Sequence, residues 1–204
     1  MNANRLINFP LLFCLLLSLT GCIGGSTPPS QFYLLEPINE SVSSPSGVTS
    51  KPVIALGSVR IPRYVDRPQI VTASGKNAYQ LSELNRWAES LDDNISRVLA
   101  QNLSLLIPAD VVLVNASNRA KQAQLRVSVN ILEFHVNPQG QAILTAQWFV
   151  NRGDEMPLNR QASYRSQASS TDYHAIVEAL NECLNRMSRD MAASLQQVIQ
   201  EGKS

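Results

Sequence analysis

From Gln124 onward the residue pattern changes period once, and that change narrows what the chain can fold into more than any other feature. Residues 124–136, 141–150 and 160–168 alternate apolar with polar side chains. Asn137-Pro138-Gln139-Gly140 separates the first two, and a second loop over residues 151–158 separates the next. A period of two presents one face of each strand to a core, so the three segments predict an antiparallel meander with one wetter face. The period then becomes helical: Tyr173, Ile176, Val177, Leu180, Cys183, Leu184, Met187, Met191, Leu195 and Val198 share one stripe, with Thr171 or Asp172 placed to cap it. A sheet with one apolar face and a helix with one apolar stripe are stable only when each covers the other.

Within the first of these strands the parity breaks. Leu125, Val127, Val129 and Ile131 lie on one face, whereas Leu132, Phe134 and Val136 fall on the other. Either different layers cover the two ends, or an extra residue near 131–133 forms a β-bulge that restores the register; the bulge is the favoured expectation.

The N-terminal half supplies the rest of an α/β domain. Residues 31–36 form a first strand closed by Pro37, followed by a serine-rich loop over 39–51. Residues 53–61 begin as a continuous apolar run, as a central strand does. Pro62 and Pro68 bracket Arg63-Tyr64-Val65-Asp66-Arg67 in an extended or turning connection. Strand character resumes over 69–73, turns at Ser74-Gly75-Lys76-Asn77 and returns over 78–81. Gly75-Lys76 is not a phosphate-binding loop, because Ile70 and Asn77 stand where that motif needs Gly and Ser or Thr. A second helix is expected with Asn85 as its cap and Glu89 in its first turn, its apolar stripe running from Trp87 through Leu91, Ile95, Val98, Leu99 and Leu103 to Leu106, and Pro108 as its stop. A short buried strand over 111–114 follows.

Residues 1–21 belong to none of this. Arg5 is followed by an apolar run that is too short to span a bilayer and ends in Leu19-Thr20-Gly21-Cys22, the bacterial lipobox, where the Cys22 thiol takes a diacylglyceryl group before cleavage. The expected organisation is a cleaved signal over 1–21, a lipidated N-terminus and tether over 22–30, and a single domain over 31–204. Acyl chains, palmitate among them, would anchor the chain to a membrane. The tether, if extended, reaches about 25 Å. Cleavage removes Arg5 from 17 basic side chains and nothing from 16 acidic ones, so the mature chain is balanced and has no charge to attract nucleic acid. Cys14 leaves with the signal and Cys22 takes lipid, so Cys183 has no partner for a disulfide.

Catalytic constellations are missing from the pattern. His135 and His174 lack metal-pair spacing, no Gly-x-Ser-x-Gly elbow occurs, and Glu178 with Glu182 reads as a solvated helix face. Neither a metal nor another cofactor is expected.

Three segments carry a family resemblance: Phe32-Tyr33-Leu34-Leu35, the run from Ile61 through Tyr64-Val65-Asp66-Arg67-Pro68-Gln69-Ile70 to Val71, and Arg86-Trp87-Ala88-Glu89-Ser90-Leu91. With Gln147-Trp148 and the closing helix they resemble the PqiC/YmbA family of ABC-type transport auxiliary lipoproteins along the whole mature chain. Ser90 departs from the family, whose members often have proline after Trp-Ala-Glu. The resemblance implies a three-layer α/β domain with a mixed, largely antiparallel sheet and two long amphipathic helices, like the N-terminal domain of TolB. It also implies a non-enzymatic lipoprotein of a paraquat-inducible (Pqi) intermembrane lipid transport system. Its partners would be a PqiB-type MCE-domain protein bridging the periplasm and, indirectly, a PqiA-type inner-membrane protein; self-association stays open. Ile23 rather than Asp after Cys22 directs the expectation to the outer membrane, with the domain in the periplasm. Arg63, Tyr64, Asp66 and Arg67 are the candidate partner contacts. The competing readings are a stand-alone carrier of lipid or a small ligand, and an auxiliary subunit of a different MCE or ABC transporter.

Overall fold

The computed structural model describes residues 28–39, 51–115 and 118–202. Cys22 and most of the serine-rich loop over 39–51 lie outside the described residues. Eight strands and two long helices follow in the order β1 (Gln31–Tyr33), β2 (Val53–Leu56), β3 (Gln69–Gly75), β4 (Ala78–Trp87), α1 (Leu91–Leu106), β5 (Asp110–Leu113), β6 (Leu125–Val136), β7 (Gln141–Arg152), β8 (Glu155–Gln167) and α2 (Tyr173–Glu201). All strands join one mixed sheet, an α/β fold. Its long ladders, β6 with β7 and β7 with β8, are antiparallel, whereas β1–β4, β2–β5, β2–β6 and β3–β6 pair in parallel.

The break in parity is a bulge. Ile131 faces Ala146, but Glu133 faces Thr145, so Leu132 is the extra residue. It is 43% exposed, while Phe134 and Val136 return to the buried face that Val127, Val129 and Ile131 occupy. On β7, Ala142, Leu144, Ala146, Trp148 and Val150 are all fully buried, as alternation requires.

Both helices cover that one face. The inward stripe of α2 includes Leu180, Cys183, Leu184, Met187, Met191 and Leu195, all buried. Each large apolar side chain removed from water there contributes about 1.5–3 kcal/mol. Asp172 caps α2 by accepting the Ala175 N–H at 3.0 Å. The helices meet where the Asn102 amide donates to Ser188 Oγ at 3.0 Å. The opposite face of the sheet is open over β6–β8, where Arg126, Ser128, Gln161 and Arg165 are exposed. A short 3-10 helix, Asn118–Gln122, with Ala120 buried, packs beside β2 and β5. All four residues of β2 are buried, as in a central strand.

Four boundaries differ from the sequence reading, the first being β1, which ends at Tyr33 and not at Glu36. The first helix starts at Leu91, with Ser90 as its cap, not at Asn85. Asn85 and Trp87 instead extend β4, because β1 pairs with them in register, Gln31 with Asn85 and Tyr33 with Trp87. Pairing with a strand more than fifty residues away outweighs local helical spacing. Glu89 lies ahead of the helix and holds Arg97. The loop expected over 151–158 is a tight hairpin, since β7 and β8 pair as far as Arg152 with Glu155. Gly153 makes the turn at φ 59°, a left-handed conformation that glycine adopts without a Cβ clash. The run over 53–61 stops being strand at Leu56, although Arg60 still bridges to Asn130.

Candidate docking surface

The turn between the two prolines is held from within and charged outside. Its backbone closes on itself: the Val65 and Asp66 N–H groups both donate to the Pro62 carbonyl, at 3.1 and 3.2 Å, and the Arg67 N–H donates to Val65 O at 2.9 Å. Pro68 O accepts the Trp87 N–H at 2.7 Å, tying the exit of the turn to β4. Val65 is buried, while Arg63, Asp66 and Arg67 are exposed.

Tyr64 fills a gap along β6. One edge of β6 is paired with β2 from Leu125 to Val127, bridged by Arg60 at Asn130, and met by β3 only at Val136. Between those partners the Phe134 N–H donates to Tyr64 Oη at 3.0 Å, so a side-chain hydroxyl stands in for a missing ladder acceptor. The same hydroxyl lies 3.1 Å from His135 Nδ1. With its lone pair occupied by the Phe134 N–H, Tyr64 can donate its own proton to a neutral His135.

A small aromatic cluster surrounds this point. The Tyr64 and Tyr79 rings are 4.9 Å apart, and Tyr79 meets His135 edge-on at 5.4 Å. Burial pushes the Tyr64 phenol up to about 12, with the Phe134 hydrogen bond pulling the other way. Burial also lowers the His135 pKa, opposed by the Glu133 carboxylate. Tyr79 and Leu81, two residues apart on β4 and so on one face, stay 47% and 42% exposed. Arginine and tyrosine are the residue types enriched at the centres of protein interfaces. Among the described residues Arg63, Asp66 and Arg67 form no ion pair with one another or with neighbours.

Of the four candidate contacts, therefore, three face solvent and Tyr64 is the post that positions them. The hint of this role lay in the parity break at Leu132, because a bulge leaves backbone groups in search of partners. Tyr79 was not singled out from the sequence; alternation across the 78–81 strand was its only signal.

The remaining candidates are structural. Cys183 is fully buried with its Sγ 3.7 Å from the Ala142 carbonyl, and burial pushes its thiol up to about 11, which disfavours the thiolate a nucleophile needs. His174 is exposed and lies 3.5 Å from Glu178. Among the described residues no three His, Cys, Asp or Glu side chains gather as a metal site, and no helix is long and apolar enough to cross a membrane. Asparagines also went unread: Asn94 accepts the Leu35 N–H at 2.7 Å and returns a bond to its carbonyl, and Asn102 and Asn181 accept from Ile38 and Glu36. Two polar residues eight apart on the buried stripe of a helix were the available signal.

Comparison with known proteins covers most of the described chain. The family model for the ABC-type transport auxiliary lipoprotein component matches residues 33–192, which include the turn, the aromatic cluster and most of both helices. The intermembrane transport lipoprotein PqiC of Escherichia coli K12 is 24% identical over 162 residues, covering 79% of this chain and 83% of that one, and its Shigella flexneri counterpart matches equally. A crystal structure from Xanthomonas campestris superposes with a TM-score of 0.68 at 13% identity, over 85% of this chain and 100% of the other. A second, uncharacterised crystal structure gives a TM-score of 0.69 at 19% identity, over 82% of this chain and 99% of the other; both likenesses concern the fold.

Proposed function

The chain belongs to the ABC-type transport auxiliary lipoprotein family, and on that premise we propose that it is the membrane-anchored docking subunit of a Pqi-type intermembrane lipid transport system. In this reading Cys22 carries the lipid, Ile23 sends the protein to the outer membrane, and the domain sits in the periplasm. An auxiliary lipoprotein of a transport system is not an enzyme class, and the surface described above is suited to contact rather than chemistry.

The observation that supports docking most is the clamped turn. Tyr64 ties it to β6 and to the Tyr79 ring 4.9 Å away, and Arg63, Asp66 and Arg67 are exposed on that anchored backbone. A pre-ordered loop loses little entropy on binding, which favours a protein partner. The partner proposed is the periplasm-spanning MCE-domain protein, with the inner-membrane permease contacted only through it. A carrier would need apolar side chains open to a ligand, whereas the closing helix's Met187 and Met191 are fully buried in the core.

In-cell crosslinking followed by partner identification tests the proposal. The MCE-domain protein should be the principal adduct, in the outer-membrane fraction. Adducts restricted to other envelope proteins would remove the assignment.

A further inference from the structure

A second surface lies at the β1 edge of the sheet, across β4 from the exit of the Tyr64 turn, since Trp87 pairs with Tyr33 and donates to the Pro68 carbonyl. The short strand β1 pairs with β4 on one side only. Tyr33 donates to Asn85 Oδ1 at 3.0 Å and meets the His174 ring of α2 edge-on at 6.5 Å, and Phe32 and Leu34 flank it. They remain 64% and 42% exposed, and Phe32 is the most exposed of the large apolar side chains described. Between them and the first half of α2 lies an open hollow of about 360 Å³.

The carboxylates that line this hollow outnumber the cations beside it. Glu36, Glu178 and Glu182 line it together with Asn181 and His174, and no Lys or Arg does. Glu182 is held by Arg186 at 2.8 Å, and Glu178 has only His174 for a counter-charge. Glu36 forms no ion pair among the described residues, and its backbone N–H is fixed by Asn181 Oδ1 at 2.8 Å. The groove is therefore rigid along its β1 wall, apolar at its lip and acidic along its α2 wall. A phospholipid surface gains nothing from those carboxylates, whereas a basic segment gains at each of them.

We propose that this groove receives an extended segment of a partner protein in which Lys or Arg alternates with a large apolar residue. The segment adds alongside β1, sets its apolar side chain on Phe32 and Leu34, and brings its cations to Glu36 and Glu178. This contact uses none of Arg63, Asp66 and Arg67, so substitutions at those three side chains test a different site.

The test uses the full mature chain in vesicles of phosphatidylethanolamine and phosphatidylglycerol, with benzoylphenylalanine replacing Phe32 as a photo-crosslinker. Two biotinylated probes are compared, Lys-Leu-Lys-Leu-Lys and Glu-Leu-Glu-Leu-Glu. The basic peptide should be labelled at least about tenfold more than the acidic one and should lose labelling as salt rises. Glu36→Gln with Glu178→Gln should abolish the preference without moving the melting temperature, since both side chains are exposed. Glu36→Lys with Glu178→Lys should reverse it. Equal labelling of the two peptides, adducts with phospholipid or with a second copy of the chain, or no adduct at all would each overturn the proposal.

Discussion

Tyr64 Oη accepts the backbone N–H of Phe134 at 3.0 Å across a sequence separation of 70 residues. A single hydroxyl thereby joins the proline-bracketed turn to the bulged strand at the centre of the sheet. Tyr64→Phe keeps the ring against Tyr79 but leaves the Phe134 N–H and His135 Nδ1 without their partner. The expected cost is about 1–3 kcal/mol in urea unfolding. A change within about 0.5 kcal/mol would mean that water replaces the hydroxyl and the turn is not clamped.

Asn94 makes a two-way bond to Leu35, accepting at 2.7 Å and donating at 3.1 Å, while itself 1% exposed. Asn94→Ala strands a buried N–H and a buried carbonyl, and should destabilise by about 2–4 kcal/mol. Amide exchange at Leu35 should accelerate more than exchange at the centre of β7, which Asn94 does not hold. Uniform acceleration would indicate that the latch serves the whole domain equally.

The bulge makes opposite predictions for near neighbours. Leu132→Lys should change stability by no more than about 0.5 kcal/mol, because Leu132 is 43% exposed. Phe134→Ala should cost about 3–5 kcal/mol, since its ring is 2% exposed and packs 6.3 Å from Trp87. Similar costs for the two variants would place the strand in a different register.

How much of this was legible in the sequence depended on the range of the forces involved. The stripe of α2, the alternation on β7 and the bulge at Leu132 follow from local periodicity, and each matches the residues found buried. The 85–87 segment was misread because its neighbour β1 arrives from more than fifty residues away, and helical spacing at Trp87 cannot register that pairing. The exposed side chains of the proline-bracketed turn were legible as charges between two prolines. Tyr64's role as a post was not, because it depends on a gap between β2 and β3 that exists only in the assembled sheet.

His135 supplies a pH dependence. Burial holds its pKa below the ordinary value of 6.5, so the fold favours the neutral ring. The unfolded chain then binds the extra proton first as pH falls, and stability is full above about 6.5 and declines below it. His135→Gln should flatten that decline between pH 7 and 5 in urea midpoints. A midpoint that rises on acidification in the parent and is unaltered by the substitution would contradict the assigned sign.

Capture of the proposed MCE-domain partner by the chain in its native membrane tests the central claim most directly. With Arg63→Ala and Arg67→Ala together, recovered partner should fall at least about tenfold, while the urea midpoint stays at the parent value because both side chains are exposed. Partner recovered at the parent level by a folded double variant would contradict the assignment of this turn as the docking surface.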